Sequence, residues 1–308
     1  MTGLPEALAG YLDLRRGLGF KLDRDAKLLA QFITYLEEHG TGTLTVADAL
    51  TWATLPAGAS PGWLAFRMSV VRGFAAYLAT FDPSVEIPPA GLLPGGTHRA
   101  VPYLYSAADI AAMVSQAERL RTPLRTATIQ TLIGLLVVTG MRIGEALGLD
   151  DDDFDDEQEL LLVRHAKFGK QRLLPLHPTT VAALRRYLHL RGQVFPRPAG
   201  EALLVSSTGA RLRYVNVSQT FTKLARRAGL AARSGACRPR PHDLRHSFAV
   251  ATLLDWYRDG GDVAARLPLL SAYLGHVEPA NTYWYLHAAP ELLAEAARRL
   301  GPGPGARP

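Results

Sequence analysis

Four separated segments concentrate side chains suited to a charged substrate: TGMRIGEALGL (Thr139–Leu149), RHAKFGKQRLLPL (Arg164–Leu176), PHDLRHSFA (Pro241–Ala249) and YLGHVEPANTYWYL (Tyr273–Leu286). They supply guanidinium groups at Arg142, Arg172 and Arg245, ammonium groups at Lys167 and Lys170, imidazoles at His242 and His276, and phenols at Tyr273, Tyr283 and Tyr285. Such a set fits chemistry at phosphorus. Substitution at a phosphodiester raises the charge on the non-bridging oxygens, and fixed cations can compensate it. Arginine does this best, because its permanent charge sits on a planar fork that matches two phosphate oxygens. A phenol with an ordinary pKa of about 10 must lose its proton as it attacks, so a nearby imidazole has a task. A departing alkoxide needs a proton in return.

Each segment also has an ordinary reading. Arg142 and Glu145, three apart, make a common surface bridge on a helix. Lysines at a hairpin tip are usually solvated, and a histidine after glycine suits a helix C-terminus. His242 and His246, four apart, have the spacing of a zinc pair. A metalloprotease helix of that kind carries Glu after the first His, where this chain has Asp243, and it needs a third ligand. The zinc reading is therefore the weaker one.

Helical patterns surround these segments. Leu4–Leu18, Lys27–His39, a third run opened by the capping pair Thr45 and Asp48, and a fourth from Ser60–Pro61 to Phe81 predict a compact four-helix bundle. Ile87 to Val101 holds three prolines and three glycines before Thr97 and has no period, which marks a linker. Ser106 and Asp109 form a second capping pair, and the apolar run Thr128–Thr139 stops at Gly140. Leu160–Val163 and Leu173–Leu176 read as strands of a small hairpin with a basic tip. Helical patterns resume at Thr180–Leu190, Asn216–Ala228, His242–Trp256, Val263–Leu274 and Pro290–Leu300, and the tail GPGPGARP has nothing to pack. The acidic run Asp150–Glu157 is expected to be a solvated turn.

Charge is unevenly placed along the 308 residues. The first 100 carry 8 Lys/Arg against 9 Asp/Glu, and the remainder 26 against 19, so the second part has a net charge of +7. A basic, arginine-rich half favours a polyanionic partner. One cysteine, Cys237, excludes an internal disulfide. The absence of a long apolar run and of a secretory signal pattern, with the single cysteine, points to a cytoplasmic protein with no membrane contact.

Together the four segments resemble the catalytic core of the tyrosine recombinase (phage integrase) family: Arg in T-G-x-R-x-x-E-x-L-x-L, a hairpin Lys, H-x-L-R-H, L-G-H, and Tyr nine residues after that His. The resemblance covers about residues 104–300, and more weakly the first 90. It implies a mainly α fold, with an N-terminal helical (core-binding, SAM-like) DNA-binding domain over 1–87 and a linker over 88–103. An α-rich catalytic domain with a small antiparallel β-sheet would span 104–300, followed by a disordered tail, 301–308. It implies a catalytic set of Arg142, Lys167, His242, Arg245, His276 and Tyr285. Arg142 and Arg245 would clamp the phosphate, His276 would donate to it, and His242 would assist proton transfer. Lys167 would protonate the leaving 5′-oxygen and Tyr285 would attack. Glu145 would orient Arg142, with Lys170 and Arg172 contacting DNA.

The implied reaction joins the enzyme to DNA through a 3′-phosphotyrosine, without ATP, metal or other cofactor. The implied partners are double-stranded DNA carrying specific recombination sites and further protomers, expected as a tetramer on DNA. A type IB topoisomerase or a non-catalytic DNA-binding accessory protein are the alternatives. The long stretch between H-x-L-R-H and L-G-H, with N-T-Y-W-Y-L after it, looks more like transposase-associated integrases than chromosome-dimer resolvases. Tyr283, about 200° round a helix from Tyr285, is expected to pack.

Overall fold

The computed structural model describes residues 3–95, 101–164, 171–197, 200–276, 280–287 and 290–300. It divides into two compact units, Met1–Arg99 and Ala100–Pro308.

The first unit contains α1 (Leu4–Gly17), α2 (Asp23–Glu38), α3 (Val46–Thr54) and α4 (Pro61–Leu78). Local chemistry sets several ends. Thr45 accepts the Asp48 amide and donates to the Asp48 carboxylate, and Ser60 accepts the Trp63 amide ahead of Pro61. Each such cap stabilises its helix by about 1 kcal/mol. Helix α2 starts four residues earlier than the sequence pattern suggested, because Leu22 turns the chain in a left-handed conformation and Asp23 and Asp25 fill the first turn. Leu29, Phe32, Leu36, Leu44 and Phe74 form the centre of the core. Arg67 is buried with them, donating to the Trp52 carbonyl at 2.7 Å and stacking over the indole. After α4 the chain stays with the bundle, where Val85 and Leu93 pack on its core.

The second unit contains α5 (Ala107–Ala117), α6 (Pro123–Thr139), α7 (Ile143–Gly148), β1 (Phe154–Asp155), β2 (Leu160–Val163), β3 (Arg172–Pro175), α8 (Pro178–Val194), α9 (Tyr214–Arg227), α10 (Asp243–Arg258), α11 (Val263–Leu274), α12 (Ala280–Tyr283) and α13 (Pro290–Leu300), with a 3₁₀ turn at Trp284–His287. The strands form one antiparallel sheet in the order β1-β2-β3, with Leu161 opposite Leu174 and Val163 opposite Arg172. Helix α6 buries Leu132, Ile133, Leu135 and Leu136 in near succession, which only a helix surrounded by others can do. A second cluster, from Ala249, Leu253, Leu267, Leu270 and Leu274, joins α10, α11 and the segment bearing Tyr285 and Leu292.

Only the second half of the acidic run is the solvated turn expected of it: Asp155, Asp156 and Glu157 are exposed, whereas Asp150, Asp151 and Asp153 of the first half are drawn into the fold. Asp153 is 3% exposed; it accepts the Asp150 amide and pairs with Arg164 at 2.5 Å. Asp150 pairs with Arg211, Asp151 with Arg191, and Asp156 with Arg185. The run therefore joins the start of the sheet to α8 and the loop before α9. Among the described residues, no helix is long and apolar enough to cross a membrane.

Candidate active site

Helix α6 must end sharply to present Arg142. Gly140 closes it at φ +58°, and a Cβ there would lie 2.4 Å from the Phe248 ring. Two residues on, Arg142 precedes α7. The Glu145 carboxylate accepts both the Arg142 backbone amide (2.9 Å) and its Nη1 (2.8 Å), fixing the side chain against its own backbone. This is not the surface bridge of the ordinary reading, because the Glu145 side chain is only 4% exposed. Burial pushes the Glu145 carboxyl up, but the bonds from Arg172 and Arg142 outweigh that and hold it below its ordinary range.

Helix α10 supplies the second cation. Arg245 is buried, with Nη1 donating to the Gly140 carbonyl at 2.8 Å and Nη2 to the Leu274 carbonyl at 2.6 Å. Burial, then the neighbouring Arg142 cation, draw its pKa down to about 10, while the Tyr285 phenol and Glu145 act in the opposite sense. His242 stands just before α10 and remains open to solvent. Desolvation by the surrounding protein and the Arg245 charge hold its pKa below the ordinary value. Asp243, beside it, is buried and takes two bonds from Arg240, which anchors the start of the helix.

Helix α11 ends at Gly275, in the left-handed conformation, and delivers His276. The ring nitrogen Nδ1 of His276 lies 2.7 Å from the hydroxyl of buried Thr282. Burial and then the Arg245 and Arg142 cations pull its pKa down to about 4. The Tyr285 ring, 2% exposed, stacks on His276 with centroids 5.9 Å apart and meets His246 edge-on at 5.4 Å. His246 in turn meets His242 at 5.0 Å and is pulled down to about 3, first by burial and then by His242.

Arg142, His242, Arg245, His276 and Tyr285, drawn from three of the four segments, thus meet in one cluster with Glu145 behind it. Three outcomes differ from the sequence reading. Tyr283, expected to pack, is 50% exposed, while Tyr285 is the packed phenol, because the backbone tightens into the 3₁₀ turn between them. Arg172, expected to meet DNA, gives both terminal nitrogens to Glu145 (2.7 and 3.1 Å) and Nε to the Tyr273 carbonyl (2.9 Å). Lys167, Lys170 and His165 lie outside the described residues, as does the tail 301–308. Thr282 was missed as part of the cluster, and its only signal was proximity to L-G-H; His246, the last residue of H-x-L-R-H and expected only as a neighbour of the site, lies against Tyr285. Among the described residues, no group of three or more His, Cys, Asp and Glu side chains is placed to hold a metal, so the His242–His246 pair has no third ligand there.

Comparison with known proteins agrees with this geometry. Residues 106–291 match the model of the phage integrase family. The chain is 44% identical over 306 residues to y4rB of Sinorhizobium fredii, which carries an integrase/recombinase name, covering 97% of this chain and 98% of that one. It is 32% identical over 292 residues to tyrosine recombinase XerC of Mycobacterium tuberculosis, covering 89% and 90% of the two chains. In fold it is similar to the Tn1549 transposon integrase in complex with a circular intermediate DNA (TM-score 0.66, 18% identity, 96% and 99% coverage). It is also similar to the XerH site-specific recombinase bound to its difH substrate after cleavage (TM-score 0.64, 20% identity, 88% and 77% coverage). With its motifs folded into one cluster and its relatives matched along nearly their whole length, the chain belongs to the phage integrase family of tyrosine recombinases.

Proposed function

We propose that the protein recombines double-stranded DNA at specific sites, with Tyr285 as the nucleophile. The observation that carries this reading is the contact of one buried phenol with two imidazoles beside two phosphate-matching guanidiniums. Arg142 and Arg245 hold the non-bridging oxygens of the scissile phosphate and His276 donates to them. The Tyr285 oxygen attacks phosphorus and its proton leaves with help from His242. The bond to the 5′-oxygen breaks, and that oxygen takes a proton from Lys167. The 3′-phosphotyrosine keeps the energy of the broken diester, so a 5′-hydroxyl from a second strand reverses the step without ATP. The charge compensation that a metal would supply comes here from arginine.

The first unit, bounded near residue 87, is proposed to bind DNA, joined by residues 88–103 to a catalytic domain over 104–300. Lys170 is proposed to touch backbone phosphate. Strand exchange requires two sites and four protomers, and the reaction takes place at the nucleoid. The test begins by selecting a bound duplex from a random library, then nicking it close to the point of cleavage. Loss of the short 5′-hydroxyl fragment should trap a protein–DNA adduct stable to denaturation, with EDTA leaving its yield unchanged. Failure to form any adduct on selected duplexes would overturn the reading.

A further inference from the structure

Helix α11 ends on three carbonyls, and each is taken by a different arginine. Arg172 Nε donates to Tyr273 at 2.9 Å, Arg245 Nη2 to Leu274 at 2.6 Å, and Arg142 Nη2 to Gly275 at 3.0 Å. Arg142 and Arg245 form the proposed phosphate clamp. Arg172 comes from strand β3, is 11% exposed, and directs its remaining bonds at a protein carboxylate. Gly275 leaves it room: a Cβ there would approach Arg172 Nη1 to 3.0 Å.

Glu145 consequently serves two cations. A carboxylate carries one negative charge, and in a buried site that charge is strongly felt by whatever faces it. With only Arg142 as a partner, Glu145 would close an internal ion pair and cancel the cation that should meet the substrate. A second guanidinium bound through both terminal nitrogens leaves the trio with a net positive charge. Resting on the function proposed above, we infer that Arg172 is a positioning residue: it balances the charge of Glu145 so that Arg142 keeps its own for the phosphate, and it ties β3 to the end of α11 that carries His276. Among the influences holding the Glu145 carboxyl down, the hydrogen bond from Arg172 ranks first and those from Arg142 follow.

The test uses the full chain and two readouts, adduct formation on the nicked duplex and affinity for inorganic phosphate from thermal-shift titration. R172Q should slow adduct formation by about tenfold or more and weaken phosphate binding severalfold, because it leaves a buried carboxylate facing Arg142 alone. The double variant E145Q/R172Q should regain much of both losses, although two buried partners are gone. A merely structural Arg172 predicts the reverse, with the double variant as poor as R172Q or poorer; that result, or wild-type phosphate affinity in R172Q, overturns the inference. If R172Q does not melt cooperatively, E145Q and E145Q/R172Q carry the comparison. Removing Arg172 once Glu145 is neutral should change phosphate affinity by less than about threefold, and a larger loss would mean that Arg172 acts on the anion directly. If the wild type forms no adduct, the recombinase reading fails, while the phosphate series still decides the role of Arg172.

Discussion

Tyr283 and Tyr285 stand two positions apart and face opposite surroundings: the phenol of Tyr283 is half exposed, and that of Tyr285 is sealed between His276 and His246. Only the second is beside the guanidinium of Arg245. Tyr285→Phe should therefore abolish the covalent DNA adduct while leaving the melting midpoint within a few degrees, since a phenyl ring keeps the stacking. Tyr283→Phe should retain the adduct at wild-type yield within about twofold, as surface substitutions cost little. An adduct formed by Tyr285→Phe and lost in Tyr283→Phe would reverse the assignment.

Thr282 holds His276 by a single short contact, hydroxyl to Nδ1 at 2.7 Å. An imidazole fixed at Nδ1 presents Nε2 to the pocket in a set tautomer and direction. Thr282→Val keeps the shape and removes the bond, which is equivalent to about 1 kcal/mol, or roughly a fivefold loss in cleavage rate. Thr282→Ser should restore most of it. Equal rates in wild type and Thr282→Val, measured in single turnover, would show that the contact does not orient the ring.

The parts of the fold that were legible in the sequence are those settled by neighbours in the chain. Ser106 and Asp109 cap α5 reciprocally, and Gly140 stops α6 where the apolar run ends. The candidate site was legible because its residue types are unusual and their order is informative. What stayed hidden depends on distant partners. Asp150, Asp151 and Asp153 look solvated until Arg211, Arg191 and Arg164 arrive from three other places. Arg172 looks like a DNA contact until the meeting of β3 with α7 brings it to Glu145. Tyr283 and Tyr285 differ in exposure because of a local tightening of the backbone that carries no residue signature.

Gly140 joins fold to chemistry. Its positive φ disfavours any side chain, a Cβ would enter the Phe248 ring, and its carbonyl accepts from Arg245. Gly140→Ala should destabilise the protein by at least about 2 kcal/mol, combining left-handed strain with overpacking, and should reduce adduct yield because Arg245 loses its register. Gly144, on the exposed side of α7, has nothing within 4 Å of such a Cβ. Gly144→Ala should be neutral or stabilise by up to about 1 kcal/mol. Denaturant midpoints of the two variants decide, and equal midpoints would contradict the geometry.

The half-buried imidazoles His246 and His276 make stability depend on pH in a predictable direction. His246 is pulled down to about 3 and His276 to about 4, from an ordinary 6.5, by burial first; His242 then adds to the shift of His246, and Arg245 to that of His276. Below pH 6.5 the unfolded chain takes up protons that the folded chain refuses, so the slope of stability against pH is positive there. The contribution is complete above 6.5 and is lost as pH falls from 6.5 towards 4. Glu145 acts in the same sense but only below 4.5, where the unfolded carboxyl protonates, so the window from 6.5 to 5 belongs to the imidazoles. The melting midpoint should hold above pH 7 and fall between 6.5 and 5, and His246→Gln should flatten that fall. A midpoint constant down to pH 5, or an unchanged slope in His246→Gln, would refute the argument. An anion held between Arg142 and Arg245 offsets the cationic part of the shift on His276, so protein bound to its duplex should keep its midpoint to lower pH than the free protein.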